Sequence, residues 1–261
     1  MKKISAVIIA CSMGLAVQAQ VIDPLTGSLA GYTTTLVNDG GSGGASSVSF
    51  SDSASGLQAN FAGTVNDPEQ ALFLAPASSF STTFAVGDTL WVNVAMPVSS
   101  TAMDFGLAIS ATANPPAAGA NTSTRANFDW ASISVRPSQS AIRANSSISG
   151  TLTTGNGVLS AAANTVSELY IQWNSADVFT LGYLDTSSVL HTSETVTFGG
   201  ASAIGTAIGF YGDMRAGGTS LGDFTNLTVT PEPSTFALCG LGLAGLCAML
   251  LRKKQAAPKL G

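Results

Sequence analysis

The residues able to do chemistry are few, and they are scattered. The one histidine, His191, stands in Val189-Leu190-His191-Thr192-Ser193, a polar stretch between predicted strands. No Gly-x-Ser-x-Gly elbow is read alongside it, so it is read as a surface or turn histidine and not as part of a serine–histidine triad. A glycosidase would need two carboxylates flanking the scissile bond. Glu69 falls in an Asn-Asp-Pro-Glu turn, Glu168 begins a strand, and Glu194 follows the histidine stretch. Each reads as a solvated edge or turn residue, and catalysis is not expected. The three cysteines, Cys11, Cys239 and Cys247, all lie in terminal apolar runs, which leaves no thiol in the middle of the chain for a disulfide, a nucleophile or a metal site. Hard oxygen ligands are the remaining metal chemistry. Asp213, Asp223 and Asn226, near the last predicted strands, would suit Ca²⁺, against the plainer reading that they shape turns. No other cofactor is expected. Trp91, Trp130 and Trp173 could stack on sugar rings, but apolar strand neighbours favour core packing for at least two of them.

Charge narrows the partners. Two of the ten basic residues lie at the start and four at the end. Residues 20–230 keep four arginines, no lysine and fourteen acids, a formal −10. Such a surface repels nucleic acid, which needs clustered Lys or Arg. Nucleic acid is therefore excluded as a partner.

The ends of the chain carry addresses. Lys2 and Lys3 precede the apolar stretch Ile4–Val17, and Val17-Gln18-Ala19 offers modest side chains to a signal peptidase. A secretory signal peptide over residues 1–19, cut between Ala19 and Gln20, is predicted. At the other end Thr235–Leu251 is uncharged and is followed by Arg252, Lys253 and Lys254. That length is at the lower edge for a helix crossing a ~30 Å hydrocarbon core. The basic cluster predicts a cytoplasmic end and puts the middle on the far side of the inner membrane. Just before the span stands Pro231-Glu232-Pro233-Ser234, extended because two prolines cannot sit in a helix interior.

This order of PEP, short apolar span and basic cluster resembles the PEP-CTERM sorting signal over residues 231–254. The resemblance implies that an exosortase, a membrane enzyme with a cysteine nucleophile found in bacteria that make exopolysaccharide, processes the chain. Pro231, Glu232 and Pro233 would be its recognition element, and the protein its substrate. The chain departs from the pattern in continuing through residues 255–261, a predicted cytoplasmic tail.

The middle must hold whatever domain is delivered. Leu90–Met96, Trp130–Val135 and the pair Glu168–Trp173 and Asp177–Leu184 read as strands, the last two as a hairpin across Asn174-Ser175-Ala176. Further strands are predicted at Tyr32–Val37, Ser47–Phe50, Leu57–Phe61, Ser79–Val86, Phe105–Ser110, Ser147–Thr153, Thr195–Phe198, Ile204–Tyr211 and Phe224–Val229. Ala71–Ala77 reads as one short turn. Ala111–Ser123 and Asn38–Ser47 read as loops. The fold class is mainly β, an antiparallel jelly-roll-type sandwich over residues 20–230, flanked by a signal-peptide helix and a single transmembrane helix. The hairpin ELYIQWNSADVFTLGYLD and the closing runs IGFY and DFTNLTV resemble a laminin-G or concanavalin-like module. The expected function is an exported cell-surface or extracellular-matrix protein, structural or adhesive and associated with exopolysaccharide. The alternative is a lectin-like carbohydrate-binding module, with Ca²⁺ as its candidate aid; a glycoside-active enzyme ranks third.

Overall fold

Period-two alternation along short runs builds two antiparallel sheets in the computed structural model, which describes residues 19–27, 29, 31–39, 47–63, 69–95, 103–119, 122–161, 163–199, 204–214 and 218–231. The first sheet contains β1 (Gln20–Asp23), β3 (Ser47–Ser53), β4 (Gly56–Gly63), β6 (Asp88–Ala95), β11 (Val166–Ser175), β12 (Val178–Asp185), β13 (Leu190–Thr197) and β15 (Gly218–Pro231). Its order is β13-β12-β11-β6-β15-β4-β3, with β1 on the far part of β15. The second contains β2 (Thr33–Asp39), β5 (Glu69–Pro76), β7 (Met103–Ser110), β8 (Trp130–Arg136), β9 (Ala141–Ile148), β10 (Thr151–Ser160) and β14 (Ala207–Met214). It runs β10-β9-β8-β7-β14-β5-β2. Gln20–Val229 forms one compact unit.

The sheets pack face to face on their apolar rows. Leu90, Val92, Leu169, Ile171, Phe179, Leu181 and Phe224 from the first meet Phe73, Phe105, Leu107, Ile133, Ile208 and Phe210 from the second. Phe224 lies 4.7 Å from Phe105 and 4.6 Å from Phe210, ring to ring, so one residue of β15 joins both sheets. Gly222 lets this happen, because a Cβ there would collide with the Phe105 ring.

The second sheet is buried on its other face as well. A second apolar cluster of Val37, Leu72, Leu74, Ala108, Trp130, Ala207 and Tyr211 lies there, with Ala113, Phe128 and Leu152 against it. The segment after β7 folds over this face. Ala118 N–H donates to Leu36 O (2.8 Å), Thr124 N–H to Val37 O (2.9 Å), and the Trp130 indole N–H to Arg125 O (2.9 Å).

Double-sided burial explains the largest disagreement with the sequence reading. Ala71–Ala77 was predicted as a turn, yet Ala71–Pro76 lies within β5, paired on both sides with β14 and β2. Its alternation is hidden because both faces are apolar. Ser79–Val86 was predicted as a strand; instead a 3-10 turn at Ala77–Ser79 and bends follow, and only the buried Phe84 and half-buried Phe80 engage the core. Ser147–Thr153 is interrupted by Ser149-Gly150, whose φ of 47° and 84° make the tight turn between β9 and β10. The hairpin of β11 and β12 is present, but β11 is longer than read, β12 is shifted by one residue, and the turn is Ala176-Asp177, since Asn174 and Ser175 belong to β11.

Ala19 is exposed and immediately precedes β1, so the predicted signal-peptidase bond Ala19–Gln20 sits at the edge of the sandwich. Gln20 pairs with Val229, at the far end of the chain's last strand. The predicted signal helix, the apolar span and Arg252, Lys253 and Lys254 fall in residues 1–18 and 232–261, outside the described residues. Among the described residues no helix is long and apolar enough to cross a membrane.

Candidate functional site

The proposed calcium ligands are not brought together. Asp213 lies on β14 and points to the outer face of the second sheet, beside Gln70 and Tyr211. Asp223 follows Gly222 and precedes Phe224, both of which face the core, so it points to the outer face of the first sheet, opposite Gln58. Asn226 is exposed with φ of 53°, and its N–H donates to Pro24 O (3.3 Å). It supplies a left-handed residue in β15 next to Leu227, where β1 bulges at Ile22. Among the described residues no group of three or more His, Cys, Asp or Glu gathers that could hold a metal ion.

His191 lies within β13 and not in a turn. Its ring stacks on Tyr183 at 4.5 Å, and Nε2 is 3.0 Å from Asp185 Oδ2. Asp185 also accepts from the backbone N–H of Ser187 and of Val189, both at 2.8 Å. The hydrogen bond from His191, followed by that from Val189, holds the Asp185 carboxyl below the ordinary aspartate range. This group ties the β12–β13 turn. Gly218-Thr219-Ser220-Leu221-Gly222 has the letters of a serine elbow, but it lies inside β15, paired with β4. Glu69 opens β5 and accepts the Val48 N–H at 2.7 Å.

Two constellations emerge that no single motif announced. The first is a charged network on the outer face of the second sheet. Arg136 on β8 grips both carboxylate oxygens of Asp104 on β7 through Nε and Nη2. Its Nη2 also lies 3.9 Å from Asp213 Oδ2. Asp213 stands directly opposite Asp104 across β14 and β7, a like-charge pairing that the guanidinium offsets. Gln70 donates to Asp213 (2.8 Å) and to Tyr211 Oη (3.0 Å), and accepts from Arg125 at 2.6 Å. Arg136, Asp104 and Asp213 are at most 5% exposed at their side chains. The network therefore stitches β5, β14, β7 and β8 to the covering segment. The sequence signal for it was a charge inside an apolar strand, as in Met103-Asp104-Phe105.

The second constellation lies on the outer face of the first sheet. Thr89, Trp91 and Asn93 alternate outward from β6, and Gln172, Tyr170 and Glu168 alternate outward from β11. The register sets them side by side as Gln172–Thr89, Tyr170–Trp91 and Glu168–Asn93. The Trp91 and Tyr170 rings are 5.0 Å apart. Gly182, next in the row, clears space for the Tyr170 ring, since a Cβ there would come within 2.6 Å of it. Beyond Gly182, Tyr170 Oη meets Thr192 Oγ1 at 3.1 Å. Burial raises the Glu168 carboxyl above its ordinary range. Trp130 is fully buried and Trp173 packs against the core beside Phe84 and Phe179, whereas Trp91 is half-buried on this outer face.

Comparison with known proteins adds two kinds of likeness. The sandwich is similar to a carbohydrate-binding module from Bacillus subtilis, at 10% identity and a TM-score of 0.43 over 77% of this chain and 95% of that one. It is also similar to a Bacillus licheniformis beta-glucanase, at 11% identity and 0.46 over 80% and 96%. A third likeness is to the VIP36 exoplasmic/lumenal domain in its Ca²⁺/Man3GlcNAc-bound form, at 11% identity and 0.49 over 82% and 90%. No curated protein matches the chain by sequence. The sequence profile of the PEP-CTERM protein-sorting motif matches residues 229–254, which include Pro231, Glu232, Pro233 and the cluster Arg252, Lys253 and Lys254. A β-sandwich thus leads, within its final strand, into a PEP-CTERM protein-sorting motif, which implies export, cell-surface sorting and processing by an exosortase.

Proposed function

We propose that the protein is an exported, exosortase-processed component of the cell surface or extracellular matrix whose sandwich is adhesive, associating with exopolysaccharide, and not catalytic. The observation that carries this reading is the sorting motif on residues 229–254, joined without a linker to the sandwich. Signal peptidase would release Gln20, the apolar span would hold the chain in the inner membrane, and exosortase would act at Pro231, Glu232 and Pro233. The charged network supports a non-catalytic role. A glycosidase needs one carboxyl free to hand over a proton and a second free to attack or to activate water. Here Asp104 is gripped by Arg136, and Asp213 accepts from Gln70 and Tyr211.

Mass spectrometry of the mature protein from its native host tests the sorting. The expected C-terminus lies upstream of Thr235. An intact chain ending with Lys253 and Lys254 refutes exosortase processing. Co-sedimentation with the host's own exopolysaccharide tests the adhesion, and its absence at native expression levels refutes that half of the reading.

A further inference from the structure

The outer face of the first sheet has the chemistry of a sugar platform, and we infer that Thr89, Trp91, Asn93, Glu168 and Gln172 form a binding site for an uncharged, extended glycan chain, with the buried Tyr170 as the brace of Trp91. The inference rests on the adhesive reading above and gives it a location. An equatorially substituted pyranose presents a face of axial C–H bonds that packs on an aromatic ring, and a rim of hydroxyls that both donate and accept. The site offers the same division. Trp91 sits at the centre of a two-strand block beside the buried Tyr170, which is 2% exposed, and the groups two residues before and after the pair carry hydroxyl, amide and carboxylate functions. Same-face neighbours along a strand are roughly 6.6 Å apart and adjacent strands roughly 4.8 Å. One ring can therefore rest on Trp91 while its hydroxyls reach the bordering residues on either side.

The platform is fixed in advance, which lowers the ordering cost of binding. Tyr170 is laid over Gly182 and held through Thr192. Trp91 is braced by Tyr170 and remains the half-buried ring on the face. Thr180 and Thr195 extend the polar border outward, 3.3 Å apart, with Asn174 donating to Thr180 at 2.7 Å. Charge selects the class of glycan. The block holds one acid and no base, within a region of fourteen acids and four arginines, so a polyanionic chain is repelled and a neutral one is not.

The test uses the full chain in a zwitterionic detergent, since sugar-headed detergents would compete. Calorimetric titration with cellohexaose should show saturable binding, and an oligogalacturonate of equal length should bind more weakly. Trp91→Ala should weaken cellohexaose binding by about tenfold or more, and Trp91→Phe should restore part of it. Asn93→Ala should cost about threefold. If Trp91→Ala fails to fold, the Thr89→Ala/Asn93→Ala pair decides, with native urea midpoints as the control. No binding of cellohexaose by the native chain overturns the site. Unchanged binding by natively stable Trp91→Ala also overturns it, as does tighter binding of the galacturonate. Co-sedimentation with host exopolysaccharide that persists in Trp91→Ala would leave the adhesive reading standing and remove only this location.

Discussion

Replacing Arg136 with methionine isolates the role of the charged network, because methionine keeps much of the stem's volume and removes the guanidinium. Two things are lost at once. Asp104 loses two charge-assisted hydrogen bonds while its side chain is 1% exposed, and Asp213 loses a cation 3.9 Å away while fully buried. Breaking a buried pair by removing one partner costs about 3–5 kcal/mol. For a unit of this size, each kcal/mol lowers Tm by about 2–4 °C, so the midpoint should fall by about 6–20 °C. Urea unfolding followed by tryptophan fluorescence measures the loss directly, since Trp130 is buried on the same face. The companion Asp104→Leu/Arg136→Met removes the stranded carboxylate with its partner and should recover more than half of the lost stability. A single substitution costing less than about 1 kcal/mol would refute the argument. So would a double variant no more stable than the single one.

Asp185→Asn should loosen the β12–β13 turn, seen as faster hydrogen exchange at the Ser187 and Val189 amides. The sign with pH follows from a carboxyl held below its ordinary value of 3.8. Its contribution is fully present above that value and is lost as pH falls through the folded-state pKa. An NMR titration should therefore find the turn intact at neutral pH and loosened at strongly acidic pH, and a turn unchanged across that range contradicts the assignment. Gly182→Ala should cost about 1–3 kcal/mol or more by overpacking against the His191 carbonyl and the Tyr170 ring and should break the bond to Thr192, both readable by urea unfolding and by cellohexaose affinity. Native stability and native affinity together would disprove the proposed support of the platform.

Legibility in the sequence followed the physics of burial. Strands with one apolar face, such as β8, β11 and β12, announced themselves by alternation and turn residues. β5 did not, because its outward residues Leu72 and Leu74 meet a second apolar cluster and the alternation vanishes. Ser79–Val86 has β-forming side chains, but that segment pairs with no neighbouring strand, and propensity without pairing does not make a strand. The sites were harder. Asp104, Arg136 and Asp213 are over 100 residues apart at the extremes, and only the register of β8, β7 and β14 makes them one network. Trp91 and Tyr170 could each be placed on a strand, but nothing local says that they share a row. The sorting motif needed no register at all. Its meaning is local and linear, so it could be read directly.

The pairing of Gln20 with Val229 has a consequence for the order of events at the membrane. Val229 is both the last fully buried residue of the sandwich and the first residue matched to the sorting motif. Gln20 is the residue that signal peptidase would expose. The two ends that the proposed scheme would process thus share one ladder, and only two residues, Thr230 and Pro231, separate that ladder from Glu232 in sequence. A folded sandwich leaves an exosortase almost no slack. Any enzyme that grips residues upstream of Pro231 in an extended groove must first fray β15 away from β1. Under the proposed scheme, the seam that closes the domain would also set how far an exosortase can reach along the chain.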